Sequence, residues 1–426
     1  MMQTILPLPT IQNWDCHTCG TCCKEYLVTV SPGEAKRIVD QAWTKEELGG
    51  LEPLRIKGGW FSKKTVLNHK SDGSCVFLDD GGRCKIHAKH GYDSKPLPCK
   101  LFPFILIPTG RGWSVGMRYA CPSASASLGR PMPEHLVDLR KFAEELLVRE
   151  AMPANELGTC AKVTPPLVEG NPGLEWEKVF AMAKGLAIPL LDREVPLGLR
   201  MFRVFHLASD LRKAKLTNLE PIKIEELCTI LAKHLPASVT ASNRDQTVKP
   251  NWIGQVLFRQ LAAICLRKDH GPNRGVAEQG RLALLGAAWA FVQGKGSLPK
   301  MHKWLPEADF RLGEEPVEAL PIEVERIFER YYLMKLGSLQ FCGPTFFNMP
   351  FWEGIDLTLL IYSVQMWLYR ILKSAMTETE AAQKALSIVD DHYGFNRVLG
   401  TFRQRLAYKI LGSTNQIERL VSWYGR

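Results

Sequence analysis

Apolar and polar positions follow different patterns on the two sides of residue 133. Before it, short apolar runs alternate with turn signals such as Ser71-Asp72-Gly73, a pattern typical of loops and short elements. One helix is predicted there, from Ser31 to about Trp43, because Ser31 is a good N-cap with Pro32 and Glu34 at favourable positions behind it. Chain of this kind builds little apolar core, so the first unit needs another source of cohesion.

From Pro133 onward, apolar residues recur at helical spacing. A proline-rich stretch from Ala151 to Gly173 then predicts a linker, and most of the chain behind it is predicted to be helical. The candidate helices lie near Leu197–Lys215, Lys223–His234, Trp252–Arg267, Val276–Val292, Pro321–Leu336, Ile355–Met376, Thr379–Asp391 and Phe395–Leu411.

The predicted fold is therefore α-rich, and α+β at most. A small, loop-rich, metal-stabilised cysteine-cluster domain is expected over residues 1–130, followed by a helix and the proline-rich linker over 131–173. A mainly α-helical domain is expected over residues 174–426. A chain of 426 residues agrees with more than one packed unit.

Composition and charge exclude few classes of function. The apolar stretch from Leu357 to Tyr369 is bounded by Asp356 and Arg370 and contains Gln365, which predicts a buried helix and no membrane partner. No signal-peptide pattern begins the chain, so a cytoplasmic location is expected. The net charge of +10 comes from Lys and Arg that are spread along the chain, which leaves a nucleic-acid partner open without indicating one.

The twelve cysteines are distributed unevenly along the chain. Eight lie in the first 121 residues, and all eight are candidate metal ligands: Cys16, Cys19, Cys22, Cys23, Cys75, Cys84, Cys99 and Cys121. The other four stand singly and are interpreted as small buried apolar side chains: Cys160, Cys228, Cys265 and Cys342. Without an export signal, a crowded set of cysteines favours metal binding over disulfides.

The opening motif is Cys16-x2-Cys19-x2-Cys22-Cys23. Two intervening residues let the chain turn so that both thiolates face one metal. Cys16, Cys19 and Cys22 suit three corners of an iron–sulfur cubane, which favours a 4Fe-4S cluster; a zinc pair with a spare thiol is the alternative. Neighbouring side chains diverge in an extended segment, so Cys22 and Cys23 either serve two sites or include one structural thiol.

The remaining ligands have to come from the second half of the unit. Cys99 and Cys121 are candidates for the fourth corner of a cubane, and Cys121 is followed by proline as in bacterial ferredoxins. Cys84 and His87 have the spacing of a zinc half-site, which makes His87 a candidate ninth ligand. A lone histidine, however, more often serves as a hydrogen-bonding or surface residue.

These cysteines and their neighbours closely resemble the CxxCxxCC family, also called the YkgJ-type cysteine cluster proteins. The resemblance rests on the opening motif and on three later segments, Cys75-Val76-Phe77-Leu78, Cys84-Lys85-Ile86-His87 and Pro98-Cys99-Lys100-Leu101-Phe102-Pro103. It covers the first quarter of the chain and implies a domain that chelates zinc or iron.

The architecture of the whole chain also resembles one subgroup, the flagellin lysine-N-methylases, through the segment from Met117 to Ala124 and the helical region behind it. That resemblance implies an iron–sulfur cluster, S-adenosylmethionine as methyl donor and a protein substrate such as flagellin. The chain has neither the Gly-x-Gly-x-x-Gly of a Rossmann-type methyl-donor site nor the Cys-x3-Cys-x2-Cys of radical S-adenosylmethionine enzymes. Catalytic and cofactor-binding residues are therefore not predicted.

Two classes of function are carried forward from the sequence. The first is a protein lysine methylase, or a related modifying enzyme, with its metal cluster between the two domains. The second is a non-enzymatic zinc- or iron-binding module that holds a protein or RNA partner or senses the redox state.

Overall fold

The computed structural model describes residues 3–59, 63–152, 163–235, 249–268, 274–317 and 319–425. Within these ranges there are 17 α-helices and six short strands, which confirms the predicted α-rich class. The strands pair only in twos, as three antiparallel ladders, in the part of the chain that the structure describes. Much of the predicted linker and Cys160 lie outside these ranges.

Short elements make up the first unit, as the interrupted apolar pattern predicts. In chain order they are β1 (Asn13–Trp14), α1 (Thr21–Glu25), α2 (Pro32–Asp40), β2 (Leu54–Lys57), β3 (Lys64–Leu67), α3 (Lys85–His90), α4 (Leu97–Leu101), β4 (Phe104–Thr109), β5 (Gly112–Met117), α5 (Pro122–Ser125) and β6 (Arg130–Pro131). The ladders are β1 with β6, β2 with β3, and β4 with β5. Because β1 pairs with β6, the two ends of the unit lie side by side.

The predicted helix behind Ser31 is α2, and its cap is the one that the sequence indicates. The Ser31 hydroxyl accepts a hydrogen bond from the Glu34 backbone N–H (3.3 Å), and the Glu34 carboxylate accepts one from the Ser31 N–H (2.7 Å). That carboxylate also accepts from the Leu97 N–H (2.7 Å) and pairs with Arg149 (2.6 Å). The helix cap thus ties α2 to α4 and to the first long helix.

The helical region contains twelve α-helices among the described residues. They are α6 (Leu136–Arg149), α7 (Trp176–Ala187), α8 (Leu197–Lys213), α9 (Pro221–Lys233), α10 (Trp252–Leu266), α11 (Arg281–Gln293), α12 (Phe310–Glu314), α13 (Ile322–Gly337), α14 (Phe351–Leu372), α15 (Glu378–Asp390), α16 (Phe402–Ser413) and α17 (Gln416–Tyr424). Five predicted helices agree with α8, α9, α10, α13 and α15 to within two residues at each end.

Two predicted helices are interrupted in the structure. The one expected from Val276 is a 3₁₀ turn (Gly275–Glu278) followed by α11, because Gly280 adopts a φ of 97° that ends the first turn. The one expected from Phe395 is likewise a 3₁₀ turn (Arg397–Gly400) followed by α16. Helices α7, α12 and α17 were not predicted, and neither were the short helices α1, α3, α4 and α5 of the first unit, where a single helix was expected.

Helix α14 lies at the centre of the helical region and packs against α8, α10, α12, α15, α16 and α17. It starts at Phe351, before the predicted Ile355, and ends at Leu372. Among the described helices it alone is long and apolar enough to cross a membrane, yet 94% of its most apolar window is buried inside the protein. The prediction of a buried helix is confirmed.

Two apolar cores result from this arrangement. The larger core runs through the helices and takes in the β4–β5 hairpin, with Phe104 and Trp113 inside it. The smaller core lies within the first unit, around Ile38, Val76 and Phe77, and several cysteines pack against it or belong to it. The first unit therefore has a small core of its own next to the thiols, while its hairpin belongs to the helical core.

Two glycines in helices differ sharply in what surrounds them, which gives a test of the packing around α14. A Cβ on Gly354 would lie 2.0 Å from the Phe341 carbonyl oxygen, whereas a Cβ on Gly286 would meet nothing within 4 Å. We expect Gly354→Ala to destabilise the protein by roughly 1–3 kcal/mol through overpacking. Gly286→Ala is the matched control and should stabilise α11 by about 0.5–1 kcal/mol. Chemical denaturation measures both; equal effects would contradict the packing of α14.

Candidate metal centre

Five of the eight predicted ligand cysteines line one cavity, of about 470 Å³. We call it the cysteine cavity; its thiols are those of Cys22, Cys23, Cys75, Cys84 and Cys99. Cys16, Cys19 and Cys121 do not line it. The structure therefore brings together thiols that are up to 77 residues apart in the chain, and it sets three others aside.

Four short pieces of chain carry the five thiols to the cavity. Cys22 and Cys23 lie on α1, and Cys75 follows a tight turn and pairs with His69 in an isolated bridge. The Cys75 N–H donates to the Cys23 carbonyl (2.8 Å), which fixes these two segments to each other. Cys84 is the N-cap of α3, and Cys99 lies on α4.

The adjacent pair Cys22 and Cys23 differs from the sequence prediction. The prediction assumed an extended segment, in which neighbouring side chains diverge. Here the two residues are helical, their sulfurs are 4.0 Å apart, and both thiols face the cysteine cavity. Contact with Cys23 and burial together raise the pKa of the Cys22 thiol far above its usual value. Without a metal, the Cys22 thiol is therefore protonated at neutral pH and lies in contact with the Cys23 sulfur.

Burial sets the protonation of the deeper thiols. It raises the pKa of Cys75 to about 12 and that of Cys99 well above its ordinary range. Both thiols are accordingly protonated at neutral pH in the metal-free protein. A metal ion that binds here has to displace those protons, so its affinity will rise with pH.

Basic side chains share the wall of the cysteine cavity with the thiols. Lys57, Lys95, Arg118 and Arg149 all line it, and Glu25 is the one carboxylate among the lining residues. Arg149 and Arg118 have acidic partners, whereas among the described residues no ion pair is seen for Lys57 or Lys95. A metal with four thiolates carries a net negative charge, which this wall offsets.

Glu25 connects the cysteine motif to the helical region. Its carboxylate pairs with Lys303 (2.6 Å) and with Lys268. In the chain, Lys268 follows α10 and Lys303 follows α11. Burial alone would raise the pKa of Glu25, but the hydrogen bonds from the two lysines hold it below its usual value. The end of α1 is thereby anchored from outside the first unit.

A second connection runs from the cavity to the end of α15. The Tyr26 hydroxyl donates to Asp391 (2.8 Å), and the Arg118 guanidinium pairs with the same carboxylate (3.0 Å). Arg118 also lies over the Phe395 ring, 3.8 Å from its centroid. One wall of the cysteine cavity is thus positioned by residues of the helical region.

The structure places His69 at the cysteine cavity and leaves the predicted ligand His87 away from it. His87, the candidate ninth ligand, stacks edge-on against Tyr92 and does not line the cavity. His69, for which no spacing argument existed, does line it, and burial lowers its pKa so that the ring is neutral. The only local signal was its position six residues before Cys75; the tight turn between them brings it in.

The three remaining cysteines of the first unit lie elsewhere. Cys16 and Cys19 are exposed, whereas Cys121 is buried in the larger core. Burial raises the pKa of the Cys121 thiol to about 11. Cys228, Cys265 and Cys342 are buried among apolar side chains, as predicted for isolated cysteines.

The cavity thiols are ligands of the type that thiophilic metals prefer, but their sulfur atoms do not surround a single position where an ion could sit. Among the described residues, no three His, Cys, Asp or Glu side chains lie close enough together to hold an ion as they stand. Five thiols on one cavity nevertheless supply the soft ligands that zinc and iron–sulfur clusters require.

A protein-family model matches the first unit of the chain. Residues 15–122 match the family model CxxCxxCC, whose description is "putative zinc- or iron-chelating domain". An uncharacterized protein of Methanocaldococcus jannaschii is 29% identical over 94 residues, which are 22% of this chain and 29% of that protein. This chain thus spans less than a third of that relative's length.

No solved structure matches the chain. The resemblance to flagellin lysine-N-methylases is not addressed by these comparisons and stays a prediction. The resemblance to the CxxCxxCC family is confirmed for residues 15–122.

Proposed function

We propose that the protein is a metalloprotein that holds an iron–sulfur cluster of the 4Fe-4S type in the cysteine cavity. The observation that carries the proposal is the convergence of five thiols on one cavity of about 470 Å³. Four of the five are enough to ligate a cubane, and the fifth is available to exchange or to stabilise a neighbour. Zinc held by the same thiols is the alternative.

The size of the cavity favours the cluster over a single ion. A structural zinc ion sits in a closed tetrahedron of four ligands that leaves no free volume around it. The cysteine cavity has the volume of a small-molecule site, and apolar side chains such as Phe77, Ile86 and Phe102 complete its wall. An apolar wall limits the access of water, which protects a cluster from hydrolysis and sets its potential.

The protein's own residues have clear tasks around such a group. Cys22, Cys75, Cys84 and Cys99 would bind it, since they approach the cavity from four separate segments. Lys95 lies near Cys22 and Cys99 and offsets the negative charge of the thiolates. The cluster itself would supply one-electron transfer.

Purification without oxygen tests this proposal directly. We expect a brown protein whose visible absorption bleaches in air, with iron and acid-labile sulfide in equal amounts. A visible spectrum measures the absorption, metal analysis by mass spectrometry measures the iron, and a colorimetric assay after acid release measures the sulfide. A colourless protein that contains zinc would replace the cluster by the alternative, and a protein without either metal would reject metal binding altogether.

Methyl transfer is a second candidate function. It is supported by the space in the cysteine cavity beyond the thiols, which a methyl donor such as S-adenosylmethionine could enter. The substrate would be a lysine of a protein such as flagellin. Labelled methyl donor, flagellin and the metal-loaded protein should yield a labelled protein band; absence of transfer with intact metal would reject it.

A non-enzymatic role would use the same metal centre to hold a partner or to sense the redox state. The basic charge supports an RNA partner only if the binding weakens steeply with salt. Salt-independent or absent RNA binding would leave the enzymatic candidate in place.

A further inference from the structure

We propose that the β2–β3 ladder binds nucleic acid, with Arg55, Lys57 and Lys64 in contact with the phosphodiester backbone. We call this surface the basic ribbon; it consists of the two strands Leu54–Lys57 and Lys64–Leu67. It adds a partner site to the proposed metalloprotein and does not depend on which metal the cysteine cavity holds. Three features of the molecule support it: the charge of the first unit, the register of the two strands and the exposure of their basic side chains.

The net positive charge of the chain is concentrated in the first unit. Residues 1–130 contain 17 Lys and Arg and 11 Asp and Glu, which gives them +6 of the +10 of the whole chain. Within this unit, the segment from Pro53 to Ser71 contains five Lys and Arg and no Asp or Glu. Both strands of the basic ribbon belong to that segment. Its bases are therefore not balanced by acidic neighbours in sequence, as is typical of a surface that binds a polyanion.

The strand register places two lysines directly opposite each other. Lys57 pairs with Lys64 across the antiparallel ladder, and Arg55 pairs with Val66. Like charges in opposite positions destabilise a ladder. Arg55 and Lys57 are two residues apart, so their side chains share a face of β2 and are spaced about 7 Å apart along the strand. Three positive charges thus share one face, and a bound anion would relieve their repulsion.

The basic side chains of the ribbon are open to a partner. Arg55, Lys57 and Lys64 are all exposed, and among the residues that the structure describes none of the three forms an ion pair. Charged side chains on an edge strand commonly protect a sheet from pairing with other chains. That role accounts for the two bases of β2, which pairs with β3 alone in the described part of the chain.

Edge protection does not account for Lys64, because β3 is an inner strand. On the side away from β2, the Val30 N–H donates to the Thr65 carbonyl (3.0 Å), and the Leu67 N–H donates to the Val28 carbonyl (2.9 Å). The segment around Thr29 thus covers the second edge of β3. An exposed lysine on an inner strand, opposite another lysine, is better explained by an anionic partner.

A nucleic acid fits the spacing and the extent of these charges. Successive phosphates of one DNA strand are about 3.4 Å apart along the helix axis, so Arg55 and Lys57 match alternate phosphates. A two-stranded ribbon is also a shape that the major groove of a duplex admits. The bases continue beyond the ribbon, because the exposed Lys57 also lines the cysteine cavity, as Lys95 does. A linear polyanion can follow such a row of positive charges.

Fluorescence anisotropy with a short labelled RNA, and with DNA of the same sequence as single strand and duplex, tests the basic ribbon in the full-length, metal-loaded protein. The variant is Arg55→Gln/Lys64→Gln, because neither residue lines the cysteine cavity. Each lost phosphate contact on a single strand lowers the slope of log affinity against log salt by about 0.7. We expect the slope to fall by about 1.4 and the affinity at about 0.1 M salt to fall roughly 25-fold.

Two control variants make the result specific to the ribbon. Lys184→Gln/Lys213→Gln removes the same net charge from exposed lysines of the helical region that already have acidic partners. It removes no phosphate contact, so the affinity should change less than about twofold. Arg55→Lys/Lys64→Arg keeps both charges and should retain the binding.

Three results would overturn the basic ribbon. Equal losses in the two glutamine variants would mean that net charge alone drives binding, and a protein that binds neither RNA nor DNA would have no such surface. Equally tight binding of poly-glutamate would assign the surface to an acidic protein instead. Metal analysis of the same samples reports on the proposed function separately: RNA binding through Arg55 and Lys64 by a protein without metal would reject the metal centre and leave the ribbon in place.

Discussion

Asp390→Ala is expected to destabilise the protein by about 3–5 kcal/mol, the cost of leaving a buried charge without its partner. Asp390 and Lys335 form an ion pair of 2.6 Å in which both side chains are 0% exposed. Asp390 also accepts hydrogen bonds from the Tyr119 backbone N–H (2.6 Å) and the Tyr331 hydroxyl (3.0 Å). This carboxylate therefore holds α15, α13 and the turn between β5 and Cys121 together.

The pH dependence of that variant provides a second readout. Burial lowers the pKa of Lys335 in the native protein, although Asp390 opposes the effect. Without Asp390 the pKa of Lys335 should fall further. The unfolded chain then binds a proton that the folded one does not, so the stability of the variant should recover as the pH rises towards the unfolded value of about 10.4.

A matched control is available in an exposed ion pair. Asp40 pairs with Lys36 on α2, with both side chains more than half exposed, and Asp40→Ala should cost less than about 0.5 kcal/mol. Denaturant unfolding at several pH values compares the two variants. A small, pH-independent loss for Asp390→Ala would contradict the buried pair.

Cys75→Ser/Cys99→Ser is expected to empty the cysteine cavity and to unfold the small core around it. Metal binding contributes on the order of 10 kcal/mol to the folding of small metal-dependent units. Cys75 belongs to the small core and Cys99 packs against it. Loss of the metal should therefore destabilise this core before the rest of the protein. Hydrogen exchange should show lost protection around Val76 and Phe77, while the amides of α14 stay protected.

The control for this variant is Cys342→Ser, since Cys342 is 3% exposed and lies in the larger core. It should retain all metal and show normal protection around Val76. If the two variants lose equal amounts of metal, or if the small core stays protected without metal, the cavity thiols are not the ligands.

Much of the helical fold is visible in local sequence. The capping box of Ser31 and Glu34 and the apolar spacing of α8, α10 and α13 depend on residues a few positions apart. Helix α11 begins later than predicted because Gly280 takes a positive φ, and a pattern of apolar residues does not encode that break. Helix α17 was missed because it is short and follows Asn415, which adopts a left-handed conformation.

For the candidate metal site, too, local sequence predicted some features and not others. The residue types and spacing of the cysteines were enough to predict metal chemistry in residues 15–122, in agreement with the family match. They did not predict that Cys22 and Cys23 would be helical, nor that His69 would reach the cavity while His87 would not. The basic wall of Lys95 and Arg118 was equally invisible, because its members come from distant segments.

By itself, then, the sequence determined the helical class and the thiol chemistry of the first unit, since both follow from neighbouring residues and their spacing. Only the tertiary structure decided which thiols lie together. Cys22 and Cys99 line the same cavity, whereas Cys19, three residues before Cys22, does not line it. The reason is physical: the grouping depends on the turn at Gly20, on chain pairing and on burial between distant segments.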